Sequence, residues 1–253
     1  MRRILVRADD LGFSRGVNYG IADSIKNGII RSVGLMPNMP DAQHGVDLLA
    51  GVSACIGQHT NICLGKPLTD PKLIPSLCQE NGEFKSSRTY RDAYKQGKEF
   101  VVLDEVILEI EAQYQRFKEL TGGEPHYFEG HAVVSDNFFK GLRIVAERHG
   151  LPYLDLNFTG GPMAFRSSKL YMCMESSRPD YDPLASMQRA ALQDYGPDGV
   201  LMFICHPGYL DDYLLRVSSL TTPRAQEVAM ATASATKVWL EENNISVVTY
   251  DEL

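Results

Sequence analysis

The chain has 253 residues and is 44% hydrophobic, enough to bury a full core as one large barrel or two small domains. Lys plus Arg number 25 against 32 Asp plus Glu, and the resulting net charge of −7, with no basic block, argues against nucleic acid as a partner. No apolar run approaches the roughly 20 residues of a membrane span, and Arg2-Arg3 leads straight into a strand rather than a signal peptide, so a soluble cytoplasmic protein is expected.

The opening stretch, Arg3 to Gly20, reads RILVRADDLGFSRGVNYG. Its apolar run Ile4-Leu5-Val6 predicts a strand that ends in two adjacent carboxylates, Asp9 and Asp10. Neighbours on an extended strand face opposite sides, which suits one aspartate to binding a cation and the other to accepting a proton. Taken alone, Asp-Asp-x-Gly is more often a polar turn than a site. Gly12 allows the sharp turn, and Ser14 caps a helix from about Val17 to Asn27. A second strand is predicted over Ile30 to Met36. Pro37 to Pro40 then break the chain, and Asp41 caps a helix ending near Gly51. A third strand, Ala54 to His59, delivers His59 and Asn61 at its end, before a long irregular insert at about 65–97. An insert of that length is expected to be a lid or substrate wall.

Val106, Ile110, Tyr114 and Phe117 recur at helical spacing and predict a helix over 103–120, stopped by Gly122-Gly123. A fourth strand runs into HYFEGH, His126 to His131, followed by a helix capped near Ser135 or Asp136 and extending to His149-Gly150. Leu151 to Leu156 read as a fifth strand, Gly160 to about Asp182 as a second irregular region, and Pro183 to Asp194 as a helix. Gly199 to Cys205 form a fully apolar sixth strand that ends in His206-Pro207-Gly208-Tyr209. Pro223 to Glu242 read as one long helix and Ile245 to Thr249 as a seventh strand. The five cysteines lack any CxxC pairing, so reduced, packed thiols are expected.

Near-continuous apolar strands alternating with amphipathic helices place the chain in the α/β class. About seven such units without a linker favour a single domain, a seven-stranded β/α barrel, over an open sheet. In a barrel the C-terminal strand ends meet at one mouth, where Asp9, Asp10, His59, His131 and His206 would gather. Two imidazoles and a carboxylate, here His59, His131 and Asp10, make a facial site for a divalent cation. Such an ion polarises a carbonyl and lowers the pKa of water. Asp9 is then the candidate base and His206 the candidate acid, an assembly for hydrolysing an ester or amide. His44, His126 and His149 are read as surface or hydrogen-bonded residues. Glu129 is either a ligand or a partner that orients a histidine. Tyr127, Phe128, Tyr153 and Tyr209 either face a sugar or, as is commoner for aromatic residues near strands, pack in the core.

The motifs ADDLGFSRGVNYGI, LMPNMP, IGQHTNICLGKPL, IPSL with NGEF, EGH and CHPGY, in this order, resemble the YdjC-like carbohydrate deacetylase family, which includes chitooligosaccharide deacetylases. The resemblance covers nearly the whole chain. It implies a barrel of the glycoside hydrolase/deacetylase type, one divalent metal ion (Mg2+ or Zn2+), and removal of acetyl groups from an N-acetylated sugar or oligosaccharide. The family's Asp-Asp pair falls on Asp9 and Asp10, its two histidine ligands on His59 and His131, its His-Pro-Gly on His206, and a later arginine on Arg224. Asn61, Glu129, Tyr209 and Arg224 are the expected substrate contacts.

The chain departs from the family pattern at three places. Glu129 stands where an Asp is usual, Ala132 and Val133 stand where further histidines are usual, and Arg7 stands where a smaller polar residue is common. A changed sugar or leaving group is therefore an open alternative, as are a hydrolase of a different acyl ester and a sugar-binding or regulatory protein that has lost turnover. The presence of Asp9 together with His206 favours an enzyme. Neither nucleic acid nor membrane is an expected partner, and a homodimer is compatible with the sequence.

Overall fold

The computed structural model describes residues 2–156 and 160–253. Strand β1 (Arg2–Leu11) is buried along all but its first two residues, as befits a strand covered on both faces. Ser14 Oγ then accepts from Val17 N and starts α1 (Arg15–Lys26). β2 (Ser32–Leu35), α2 (Ala42–Leu48) and β3 (Cys55–Thr60) follow.

The insert after β3 is more ordered than the sequence implies. It contains a 3-10 turn at Pro71–Leu73, a bridge between Cys78 and Phe84, and a helix, α3 (Ser87–Lys95). This helix left no apolar repeat to read because Tyr90 is its one buried residue. Next come α4 (Leu103–Thr121), closed by left-handed Gly122, then β4 (Phe128–Gly130) and α5 (Asp136–His149), capped by Ser135.

The segment 151–156 is not a regular strand. Tyr153 makes an isolated parallel bridge to Phe128, with Phe128 N donating to Pro152 O and Leu154 N to Phe128 O. The region after 160 instead holds a hairpin, β5 (Met163–Phe165) and β6 (Ser168–Cys173). Its turn carries Arg166 at φ 50°, where Gly or Asn would have announced a hairpin. α6 (Pro183–Ala191), β7 (Gly199–Cys205) and a short α7 (Asp212–Val217) come next. The predicted helix over 223–242 is two helices, α8 (Thr222–Thr232) and α9 (Ser234–Glu242). They part at Ala233, which is extended at ψ 132°, and Thr236 Oγ1 donates to Met230 O across the break. β8 (Ile245–Val248) ends the series. The α/β class is the one expected. No helix among the described residues is long and apolar enough to cross a membrane.

The chain forms two compact units, one comprising Met1–Gly34, Pro40–Ile56 and Leu156–Leu253, the other Leu35–Met39 and Gly57–Asp155. In the first, β1 pairs in parallel with β7 from Ile4↔Leu201 to Ala8↔Cys205 and with β8 from Arg2↔Ile245 to Leu5↔Val248. β7 pairs in parallel with β6, which carries β5 antiparallel on its far side. The Ala8↔Cys205 register brings the next residues, Asp9 and His206, to the same end of neighbouring strands.

In the second unit β3 and β4 pair in parallel with His59 opposite Glu129. Its core packs Val106, Ile110 and Tyr114 of α4 with Phe138, Leu142 and Val145 of α5 and with Ile74, Leu77 and Phe84 of the insert.

Candidate active site

In the first unit, Asp9 and Asp10 are both buried and each is held by an arginine. Arg7 grips Asp9 with two nitrogens, Nε at 2.6 Å from Oδ1 and Nη2 at 2.6 Å from Oδ2, and its Nη1 donates to Tyr250 Oη at 3.1 Å. A fork that engages both carboxylate oxygens fixes the plane of the group as well as its position. Asp10 is held at φ 77°, a left-handed conformation that Asp tolerates better than most residues and that turns its side chain out of the strand alternation. Arg224 Nη2 donates to Asp10 Oδ2 at 2.7 Å.

His206 leaves the end of β7 with its backbone held by α8. Its N–H donates to Glu227 Oε2 at 2.6 Å, and Arg224 Nη1 donates to its carbonyl at 3.4 Å. Glu227 Oε1 accepts from Tyr181 Oη at 2.8 Å. Burial pushes the Glu227 carboxyl up to about 7, against the pull of these two donors and of Arg224. The turn after His206 lies on α1, where a Cβ on Gly20 would stand 2.5 Å from Gly208 Cα. Tyr209, expected at the substrate, donates its hydroxyl to Asp23 on α1. Arg224, also expected there, is buried and engaged with Asp10, His206 and Leu220 O.

In the second unit, His59 and His131 come together. His59 Nε2 lies 2.9 Å from His131 Nδ1, and on the other side of its ring His59 Nδ1 is hydrogen-bonded to Glu129 Oε1. Glu129 is fully buried opposite His59 in the strand register, and its hydrogen bond to Nδ1 restrains rotation of that ring. Two imidazole nitrogens each about 2.1 Å from a common ion and at a right angle stand about 3 Å apart, so this pair fits a metal. Ala132, directly after His131, is held at φ 49°.

Asn61 does not reach outward. Its Nδ2 donates to Leu64 O at 2.8 Å and to Asn38 Oδ1 at 3.1 Å, and its Oδ1 accepts from Cys63 N at 3.0 Å, organising the start of the insert. The insert is tied to α4 by a row at i, i+4 spacing. Glu105 accepts from Ser76 N, Glu109 from Leu68 N and Thr69 N, and Gln113 bonds Asn61 through both its amide atoms.

Sequence reasoning marks Arg7 only as a departure from the family pattern and does not single out Tyr181 or Glu227. Arg7 left a signal, a charge inside an apolar strand, because such a charge must be paired when buried. Glu227 left none, since one acid in an amphipathic helix reads as solvated surface.

The family model described as YdjC-like protein matches residues 3–242. Carbohydrate deacetylase 2 of Listeria innocua serovar 6a is 31% identical over 99% of this chain and 98% of its own. Chitooligosaccharide deacetylase of Citrobacter koseri is 30% identical over 95% of each chain. A crystal structure from Enterococcus faecalis V583, of a protein assigned to cellobiose-phosphate cleavage, shares the fold with TM-score 0.84 at 22% identity, over 99% of this chain and 98% of that one.

Proposed function

This chain belongs to the YdjC-like protein family, and on that premise we propose that it is a metal-dependent carbohydrate deacetylase, which hydrolyses the amide of N-acetylated sugars such as chitooligosaccharides. The observation that carries this reading is the approach of His59 Nε2 to His131 Nδ1, with Glu129 locking the far side of His59. Asp10, at the end of β1, is proposed as the third ligand, on its place in the Asp-Asp motif and its turned-out backbone. A divalent cation held by these residues would supply Lewis acidity for the amide carbonyl and the attacking water. Two imidazoles and a carboxylate suit zinc or another transition metal, and the family resemblance also allows magnesium.

The remaining steps belong to the chain's own groups. Asp9, its carboxylate plane set by Arg7, takes a proton from the attacking water. The hydroxide adds to the acyl carbon, the C–N bond breaks, and His206 gives its proton to the departing amine nitrogen, leaving acetic acid, which ionises to acetate, and the free amino sugar; exchange with solvent then removes the proton from Asp9 and restores that of His206. The continuous match over residues 3–242 supports one functional domain. The insert, tied to α4 beside Asn61, is proposed to wall the sugar site. The test is metal analysis of the purified protein followed by an acetate-release screen over N-acetylated mono- and oligosaccharides. Stoichiometric metal and acetate release are expected; a metal-free protein that releases acetate would contradict the reading.

A further inference from the structure

Helix α8 presents Arg224 and Glu227 three residues apart, on one face, and both are buried. Together they take both backbone polar groups of His206, Glu227 accepting its N–H at 2.6 Å and Arg224 donating to its carbonyl at 3.4 Å. Tyr181, on the segment before α6, donates its hydroxyl to the other oxygen of Glu227 at 2.8 Å, so the carboxylate is itself fixed from behind. On the far side of His206, Pro207 fixes φ and Gly208 lies against the α1 backbone at Gly20. With its peptide held from both sides, the imidazole keeps only its two side-chain torsions as freedom. A buried carboxylate is costly to keep, and an amphipathic helix has no packing need of one.

We infer that Glu227 is a positioning residue for the reaction at His206: its carboxylate, set by Tyr181, fixes the His206 peptide so that the imidazole leaves the end of β7 in one direction. The inference rests on the deacetylase reading, in which His206 protonates the leaving amine. It assigns Glu227 no contact with substrate. A group that acts by placement must keep its length, whereas one that acts by charge must keep its charge. Glu227→Gln keeps the length and both hydrogen bonds, because the Tyr181 hydroxyl can accept from the amide while the amide oxygen accepts from His206 N–H. Glu227→Asp keeps the charge and withdraws the acceptor by one methylene.

The experiment measures kcat and KM for acetate release from N-acetylated chitooligosaccharides by the metal-loaded protein, and the NMR signal of the His206 Cε1–H in the same samples. Glu227→Gln is expected within about threefold of the unaltered protein in kcat, and Glu227→Asp down by about 10- to 100-fold with KM changed less than about threefold. The His206 signal should be single in the unaltered and Gln proteins and broadened or split in the Asp protein. A merely structural residue would lower the melting temperature and leave kcat per folded molecule and the signal alone. Full turnover and an unchanged signal in Glu227→Asp would overturn the inference, as would the reverse order, Asp retaining and Gln losing activity. If the unaltered protein releases no acetate, the deacetylase reading fails while the His206 signal in Glu227→Asp still decides the placement. Should Glu227→Asp not fold, Tyr181→Phe carries the same comparison, with a kcat loss of about 3- to 10-fold expected.

Discussion

Arg224 reaches Asp10 across 214 residues of sequence, with Nη2 donating to Oδ2 at 2.7 Å and both side chains buried. The contact joins α8 to the end of β1, and the same guanidinium holds the carbonyl of His206. A candidate ligand and a candidate acid thus share one support.

Removing that support should cost more than a surface contact would. Arg224→Ala leaves the Asp10 carboxylate buried without its charge partner, a change typically worth about 3–5 kcal/mol. Arg224→Lys restores charge without the fork and should recover only part of the loss. Chemical denaturation of chelator-treated protein measures both. A loss below about 1 kcal/mol for Arg224→Ala would show that Asp10 is held by other groups.

Glu227 predicts a pH dependence of stability. Its carboxyl rises from 4.5 to about 7 in the folded protein, chiefly through burial, with Tyr181, the His206 amide and Arg224 pulling down and Asp9 pushing up. The folded state therefore binds this proton more tightly than the unfolded one. The contribution is fully present below pH 4.5 and is lost as pH rises to about 7, on the order of 3 kcal/mol in all. Glu227→Gln should flatten the fall in unfolding free energy over that window and be the more stable protein above it. Parallel stability curves for the two proteins would contradict this.

The histidine pair predicts metal occupancy. Exchange of His59 and His131 together for Ala should abolish bound metal while far-ultraviolet circular dichroism stays close to that of the unaltered protein. Glu129→Gln, which disturbs the hydrogen bond behind His59, should weaken affinity by about 10- to 100-fold without removing the ligands. Elemental analysis and a metal titration measure the two; full occupancy in the double variant would end the ligand assignment.

The strap on α4 predicts how the insert behaves. Glu109→Ala strands the amides of Leu68 and Thr69, which it holds at 3.2 and 2.9 Å, so proteolysis within residues 65–97 should accelerate several-fold. Shortening the insert should change preference among sugars of different length more than metal affinity. An unchanged profile across those sugars would mean that the insert does not wall the site.

Legibility in the sequence followed the range of the interaction. Ser14, Ser135 and Gly122 were readable as caps because capping is a contact within three or four residues. The apolar run before His206 announced a buried strand. The hairpin of β5 and β6 was hidden because its turn uses Arg166 where φ is positive. The 223–242 region looked like one helix because Ala233, where it breaks, is a strong helix former. Arg224 was singled out by the motif as an expected substrate contact, but its engagement with Asp10 was not legible, since that pairing depends on how α8 meets β1. Glu227 depends on the same packing and has no local mark.

In the proposed reaction a metal held by this chain, with Asp9 as base, removes acetyl groups from amino sugars. The decisive measurement is acetate release from N-acetylated chitooligosaccharides, followed through chelation and metal re-addition for the unaltered protein and Asp9→Asn. The prediction is turnover that disappears on chelation and returns with the metal, and an Asp9→Asn protein that keeps its metal but loses about 10²- to 10⁴-fold in kcat. Acetate release that survives complete removal of the metal, or an Asp9→Asn protein with unaltered kcat, would contradict it.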